Sequence, residues 1–255
     1  MAHLPSSSPQ PTLDTVSADR VQALFNRIAP TYDRLNTQLS GGLHHIWKRM
    51  AVKWANPQPG DICLDLCCGS GDLSFVLAEA VGSQGRVYGV DFAQELLTIA
   101  AQRAQSPRFA TANAAPVTWQ LGDALNLPFG DSEFGAATLG YGLRNVVDIP
   151  RCLAELHRVL RPGAIVAVLD MHRPYNPWIQ SLQTWYLNTQ VVPAAQALGF
   201  REDYAYIGPS LDRFPQGQEQ VDLAHQAGFR SAKHYSIAGG MMGVLVAQKG
   251  SAPHG

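Results

Sequence analysis

Ile62-Cys63-Leu64-Asp65-Leu66-Cys67-Cys68-Gly69-Ser70-Gly71-Asp72 decides how the chain is read. Ile62 to Leu66 is a short apolar run that gives way to glycines, the pattern of a buried strand entering a tight turn. A helical pattern follows near Leu73–Val81. Gly69 and Gly71 allow the main chain of that turn to approach a ligand where a Cβ would collide. A dinucleotide-binding G-x-G-x-x-G would place its third small residue at Ser74, and that motif wants Gly or Ala there for helix packing. The turn therefore favours a small-molecule site over a dinucleotide.

Outward from the turn, Asp91 lies twenty residues after Gly71, at the end of Val87-Tyr88-Gly89-Val90. In an α/β sheet an acid at this position takes the hydroxyls of a ribose. Gly122-Asp123-Ala124 follows the next strand, Val117–Leu121, and a carboxylate at that edge accepts from an adenine amino group. Each acid alone also fits a helix cap or a solvated turn. Asp65, Asp91 and Asp123 at successive strand ends, beside one glycine turn, make a nucleoside site the stronger reading.

The same rhythm continues. Arg86–Val90, Ala136–Gly140 and Ile165–Leu169 read as strands, and Ala93–Arg103 and Ile149–Leu160 as helices. This alternation predicts a mostly parallel sheet covered on both faces. Residues 219–228 predict a helix. Ser231–Ile237 and Met242–Ala247 predict a closing pair of strands around Gly239-Gly240. Upstream, residues 18–58 hold two helical stripes: Ala23, Leu24, Phe25, Ile28 and Ala29, then Leu43, Ile46, Trp47, Met50, Val52 and Trp54. Residues 174–215 break the rhythm with Trp178, Trp185, Tyr186, Leu187, Tyr204 and Tyr206, and are expected as a helical lid over the carboxyl edge of the sheet. Residues 1–17 are Pro- and Ser-rich, a disordered tail rather than a secretory signal, and 251–255 are a second tail. That leaves one domain at 18–250.

The 255 residues are 46% apolar and carry 19 basic against 20 acidic side chains, a net charge of −1, so no broad electrostatic surface for nucleic acid is expected. Cys63, Cys67, Cys68 and Cys152 have neither zinc spacing nor a disulfide framework, and read as reduced thiols of a cytosolic protein with no metal. No apolar run approaches the ~18 residues of a spanning helix.

The turn and its acids resemble the class I S-adenosylmethionine-dependent methyltransferases. The resemblance implies a Rossmann-like α/β fold, with a seven-stranded, mostly parallel sheet whose last strand is antiparallel. It implies S-adenosylmethionine as cofactor, with Asp91 on its ribose and Asp123 near its adenine. Further contacts are expected from Asp65, Gly69, Ser70, Gly71, Phe92, Ala124 and Gly140. The first glycine of the family's turn is Cys67 here.

A narrower likeness covers about Arg20 to Lys249. Phe25-Asn26-Arg27-Ile28-Ala29-Pro30-Thr31-Tyr32-Asp33 with Asn36, and Gly142-Leu143-Arg144-Asn145-Val146, resemble the ubiquinone/menaquinone biosynthesis C-methyltransferases. Arg158-Val159-Leu160-Arg161-Pro162-Gly163, Arg213-Phe214-Pro215 with Gln218, and Ala227-Gly228-Phe229 match as well. The Leu-Cys-Cys-Gly-Ser-Gly turn looks like the cyanobacterial and plastid branch, which methylates demethylphylloquinone. Asp170 stands where the family often has Glu, and Gly135 where it usually has Asp.

The substrate implied is a prenylated quinol. A sulfonium methyl is electrophilic, and a quinol carbon becomes nucleophilic once a ring hydroxyl loses its proton. Arg144 is the expected fixed cation for the phenolate, with Asn145 as polar orienter. Arginine stays protonated at neutral pH, so a water polarised beside Arg144 is the expected proton acceptor. Tyr32 and Asp33 are expected to close over the site, and His172 is a second candidate base. A cytoplasmic protein, peripheral to a membrane for the substrate's tail and forming a homodimer, completes the expectation. Other readings are methylation of demethylmenaquinol or of a ubiquinone/plastoquinone precursor, an O- or N-methyltransferase of another small molecule, a nicotinamide-dependent oxidoreductase and a non-catalytic binding module.

Overall fold

A computed structural model describes residues 21–29, 40–107, 109, 111, 113–197 and 207–251. The amino-terminal tail, Tyr32, Asp33, Asn36, Tyr204 and Tyr206 lie outside the described residues.

Seven strands form one sheet: β1 (Ile62–Leu66), β2 (Arg86–Asp91), β3 (Val117–Leu121), β4 (Phe134–Gly140), β5 (Leu160–Met171), β6 (Ser231–Ile237) and β7 (Met242–Gln248). Their order is β3-β2-β1-β4-β5-β7-β6. The first five pair in parallel, while β7 runs antiparallel between β5 and β6. The chain order reverses between β1 and β4, so a crevice opens outside their carboxyl ends, where α/β sheets bind ligands.

Helices cover both faces: α1 (21–29), α2 (Leu43–Ala55), α3 (Asp72–Val81), α4 (Gln94–Ala104), α5 (Ile149–Val159), α6 (Pro177–Tyr186), α7 (Val192–Ala197), α8 (Ile207–Arg213) and α9 (Gln218–Gln226). One face buries Leu66, Leu139, Leu153, Leu156 and Leu245 with α5 and α9. The other buries Ala51, Leu73, Leu77, Val87 and Leu169 with α2 and α3. The inner strands are therefore largely apolar on both sides, as the continuous runs at Ile62–Leu64 and Val166–Leu169 require.

β5 is longer than its apolar run. Leu160 pairs with Phe134 ahead of a register shift, so the strand begins before Pro162-Gly163. Gly135, where an Asp was expected by likeness, packs on Asp61: a Cβ there would lie 2.6 Å from its carboxylate. A second acid at this spot would meet that carboxylate and force Asp61 to move.

Of the region 174–215, the described residues include three helices, and 198–206 lie outside the described residues. α6 runs into a π-helical turn (Leu187–Val191) before α7. Asn176 caps α6 by accepting from the Trp178 N–H at 2.9 Å.

Candidate active site

The glycine turn is stitched to the neighbouring strand. The Cys68 N–H donates to the Val90 carbonyl at 3.0 Å, and the Gly69 N–H donates to Asp91 Oδ2 at 2.8 Å. The Ala93 N–H donates to Asp91 Oδ1 at 2.9 Å. Each Asp91 oxygen thus keeps lone-pair capacity for one more donor. Burial pushes the Asp91 carboxyl up to about 6, against the pull of the Ala93, Gly69 and Phe92 N–H groups.

Asp65 has a different task from the one expected. Its Oδ2 accepts from Ser74 Oγ at 2.6 Å and its Oδ1 from Thr138 Oγ1 at 2.9 Å, the second bond following from the Asp65–Thr138 register of β1 and β4. It is fully buried and borders neither of the two cavities described below, and burial pushes its carboxyl up to about 7. Asp65 holds the turn from beneath rather than touching a ligand. Gly71 is likewise behind the wall: at φ 91° its missing Cβ leaves room for Trp119, whose Cη2 would stand 2.6 Å away. Ser70 is buried and its carbonyl accepts from Arg103 Nη1 at 2.8 Å. Gly69 alone of the three has open space where a Cβ would go, at φ 55°.

Above this turn is a cavity of about 250 Å³ that Gly69, Asp91, Phe92, Asp123, Ala124 and Gly140 all border. Asp123 accepts from the Leu125 N–H at 2.9 Å, and its other oxygen has no hydrogen-bond partner among the described residues. Helix α1 supplies Gln22 and Phe25 to the cavity wall, tied down where Gln22 Nε2 donates to the Phe92 carbonyl and Asn26 Oδ1 accepts from the Glu95 N–H. Gln22 was not legible as a site residue, because the apolar stripe around it reads as packing. A diol acceptor at Asp91, an open carboxylate at Asp123 and an uncrowded Gly69 main chain fit an adenine nucleoside.

A second cavity, of about 430 Å³, shares Phe25, Tyr141 and Asn145 with the first. Its wall is largely apolar, with Ile28, Trp47, Met171, Leu182, Trp185 and Tyr186, and it is of the size of small-molecule pockets. Arg144, Asn145, Lys48 and His44 supply its polar groups. Helix α6 and the π-helical turn contribute Leu182, Trp185, Tyr186, Leu187 and Val191 to this wall.

Arg144 does not arrive as a bare cation. Its Nη1 donates to Asp170 Oδ1 and, at 3.0 Å, to the Tyr141 carbonyl, while its own N–H donates to Asp170 Oδ2 at 3.1 Å. The charge expected to face a phenolate is balanced by a buried carboxylate. Asn145 Nδ2 donates to the same Tyr141 carbonyl at 3.2 Å. His172 is not a base in the site. Its Nδ1 contacts the Asp170 carbonyl at 3.0 Å, its Nε2 lies 2.8 Å from Gln220 Nε2 and 3.1 Å from His234 Nε2, and it borders neither cavity. Burial lowers its pKa, so the ring is a neutral strut between β5, β6 and α9.

Lys48 and His44, one turn apart on α2, escaped sequence reasoning. Their signal was weak: two polar residues within the apolar stripe of Leu43, Trp47 and Val52. Lys48 is buried, donates to Asp72 Oδ2 at 2.6 Å and lies 5.6 Å from the Tyr141 ring centroid. Asp72 also accepts from Arg103 Nη2 at 2.6 Å. Burial alone would raise the Asp72 carboxyl, yet Lys48 and Arg103 hold it well below the usual range. Ligand atoms of His44, His45 and Asp72 lie within 4.8 Å of one another, but both Asp72 oxygens already serve these two cations.

The sheet order, the antiparallel seventh strand and a cavity at the switch point match the class I methyltransferase architecture. A solved S-adenosylmethionine-dependent methyltransferase from Thermotoga maritima superposes with a TM-score of 0.62 at 19% identity, covering 90% of this chain and 99% of that one. The chain belongs to the ubiE/COQ5 methyltransferase family, whose model matches residues 13–249. It is 58% identical over 231 residues to the 2-phytyl-1,4-naphthoquinone methyltransferase of Nostoc sp., covering 91% of this chain and 99% of that protein. It is 55% identical over 240 residues to the Synechocystis sp. protein of the same name, covering 94% and 97%. The chloroplastic 2-phytyl-1,4-beta-naphthoquinone methyltransferase of Arabidopsis thaliana is 49% identical over 226 residues, covering 89% and 86%.

Proposed function

We propose that this enzyme transfers the methyl group of S-adenosylmethionine to a ring carbon of 2-phytyl-1,4-naphthoquinol, giving phylloquinol. The observation that carries this reading is the pair of adjoining cavities. One is edged by a diol-binding acid and the glycine turn, and the other is apolar with a few polar groups; they share Tyr141 and Asn145.

Asp91 holds the ribose, Asp123 and Ala124 the adenine, and the Gly69 main chain the body of the cofactor. When bound, S-adenosylmethionine supplies an electrophilic methyl group. The chain's own task is to hold the quinol ring between the two cavities and to exclude water around it. Placement of the ring carbon against the methyl supplies much of the rate. The Arg144–Asp170 pair fixes the loop that carries Asn145, and its guanidinium edge orients a ring oxygen.

The phytyl tail leaves through the α6 side of the larger cavity. No described helix is long and apolar enough to cross a membrane. Trp178 is 85% exposed and Tyr175 76%, next to the half-exposed Leu182 and Trp185 at the mouth of that cavity. Aromatic residues of this kind favour a membrane–water interface. This patch rests on the cytoplasmic face of a lipid surface and takes the substrate from it. A homodimer seam is the second use the patch would serve, and sedimentation without lipid separates the two.

The test is turnover with labelled S-adenosylmethionine and reduced 2-phytyl-1,4-naphthoquinone. Label in the lipid quinone is expected. Label confined to polar O- or N-methyl products, or cofactor binding without turnover, would reject this substrate.

A further inference from the structure

His44 is 3% exposed and borders the larger cavity. Its Nδ1 lies 2.6 Å from Ser40 Oγ, which fixes the ring. Its Nε2 has no hydrogen-bond partner among the described residues. When Nδ1 carries the ring hydrogen and donates to Ser40 Oγ, Nε2 keeps a free lone pair for a ligand. Nothing in the expected machinery uses it.

We infer that His44 is a catalytic residue: its Nε2 accepts the proton of the quinol hydroxyl whose ionisation activates the ring. This rests on the quinol reading above. In the step, the O–H bond breaks and its electron pair stays on oxygen, delocalising onto the adjacent ring carbon. The proton forms the Nε2–H bond. After that carbon has taken the methyl group, it sheds its own hydrogen as a proton to solvent. The ring regains aromaticity and oxygen recovers a proton from Nε2, so one proton leaves overall.

The surroundings suit this exchange. Burial, then Lys48 and His45, hold the free ring at about 4, against the opposing pull of Asp72, so it is neutral at neutral pH and a weak base until an anion forms beside it. Arg144, balanced by Asp170, is the other charged group on the cavity wall. A naphtholate formed beside the imidazole supplies the negative charge that raises its basicity, and Lys48, one turn along α2, stabilises that naphtholate. Arginine offers no such acceptor, since it has no lone pair at neutral pH.

The test compares wild type, His44→Gln and His44→Ala. We expect kcat to fall on the order of 100-fold in both variants, with a smaller change in KM for the quinol. Residual activity should rise with pH as the ring hydroxyl ionises unaided. A second readout needs no turnover: 1-naphthol bound together with S-adenosylhomocysteine should show its naphtholate absorption at neutral pH in wild type and lose it in His44→Gln, with S-adenosylhomocysteine affinity retained. Unchanged kcat and pH profile in the variants would overturn the inference. So would a wild-type complex in which bound naphthol stays protonated, a result that stands even if His44→Ala fails to fold. Failure of wild type to methylate the naphthoquinol would reject the substrate instead, and leave the naphthol titration to judge His44.

Discussion

The Gly69 N–H donates to Asp91 Oδ2 at 2.8 Å, so the residue that opens the turn to the cofactor also positions the acid that grips its sugar. With Asp91 raised to about 6 by burial, ionisation and cofactor binding are linked. A diol needs the carboxylate as acceptor. Affinity for S-adenosylhomocysteine should therefore be level above pH 6 and fall by about tenfold per unit below it. Calorimetry across pH checks this. Asp91→Asn should flatten the dependence and weaken binding by about 10- to 100-fold.

Asp65 gives the opposite kind of signal, a stability effect without a binding one. Its carboxyl is raised to about 7, so between about 4 and 7 the folded state binds more protons than the unfolded. Its favourable contribution is complete below pH ~4 and is lost as pH rises to about 7. Asp65→Asn keeps the Ser74 and Thr138 contacts if one hydroxyl turns to accept. Its melting temperature should exceed that of wild type at pH 8, and the gap should close towards pH 4.

The two turn glycines should separate by phenotype. Gly71→Ala drives a methyl into Trp119 at a left-handed position, and should cost about 2 kcal/mol or more of stability. Gly69→Ala meets no protein atom within 4 Å and should cost about 1 kcal/mol of folding stability. Its methyl enters the cofactor cavity instead, so cofactor affinity should fall. Denaturant melts and calorimetry on both variants read the contrast.

Arg144 and Asp170 are a buried pair, with side chains 10% and 1% exposed. Asp170→Ala leaves the guanidinium uncompensated and removes the acceptor of the Arg144 and Met171 N–H groups. A loss of about 3–5 kcal/mol is expected by urea denaturation. Asp170→Glu should retain more of the pair than Asp170→Ala.

Trp178 stands clear of both cavities, so its surface role is separable from the site. Trp178→Ser combined with Tyr175→Ser should reduce co-sedimentation with phosphatidylglycerol vesicles by about tenfold or more. Turnover of a short-tailed naphthoquinol in solution should be unchanged.

The inner strands were legible because they are apolar runs bounded by glycine and acids, and the edge strands because turn residues flank them. Val117–Leu121 and Ser231–Ile237 are found where the pattern put them. β5 was read short because Pro162-Gly163 looks like a boundary, whereas the pairing of Leu160 with Phe134 extends it. Acids at the ends of β1, β2 and β3 marked the right edge, but spacing could not tell a buried strut from an open acceptor. Hydroxyls from Ser74 and Thr138 consume Asp65, while Asp91 and Asp123 border the cavity. Spacing also hid Trp119 behind Gly71, since that contact joins residues far apart in the chain. Arg144 read as an isolated cation because Asp170 meets it only across β4 and β5. His44 and Lys48 sat unnoticed in an apolar helix stripe, where burial rather than spacing reveals them.

The most direct test is the structure of this enzyme with S-adenosylhomocysteine bound. Both ribose hydroxyls should donate to Asp91, with the adenine beside Asp123 and the sulfur facing the cavity bordered by Asn145 and His44. A nucleoside seated away from Asp91, or no nucleoside in that cavity, would contradict the account.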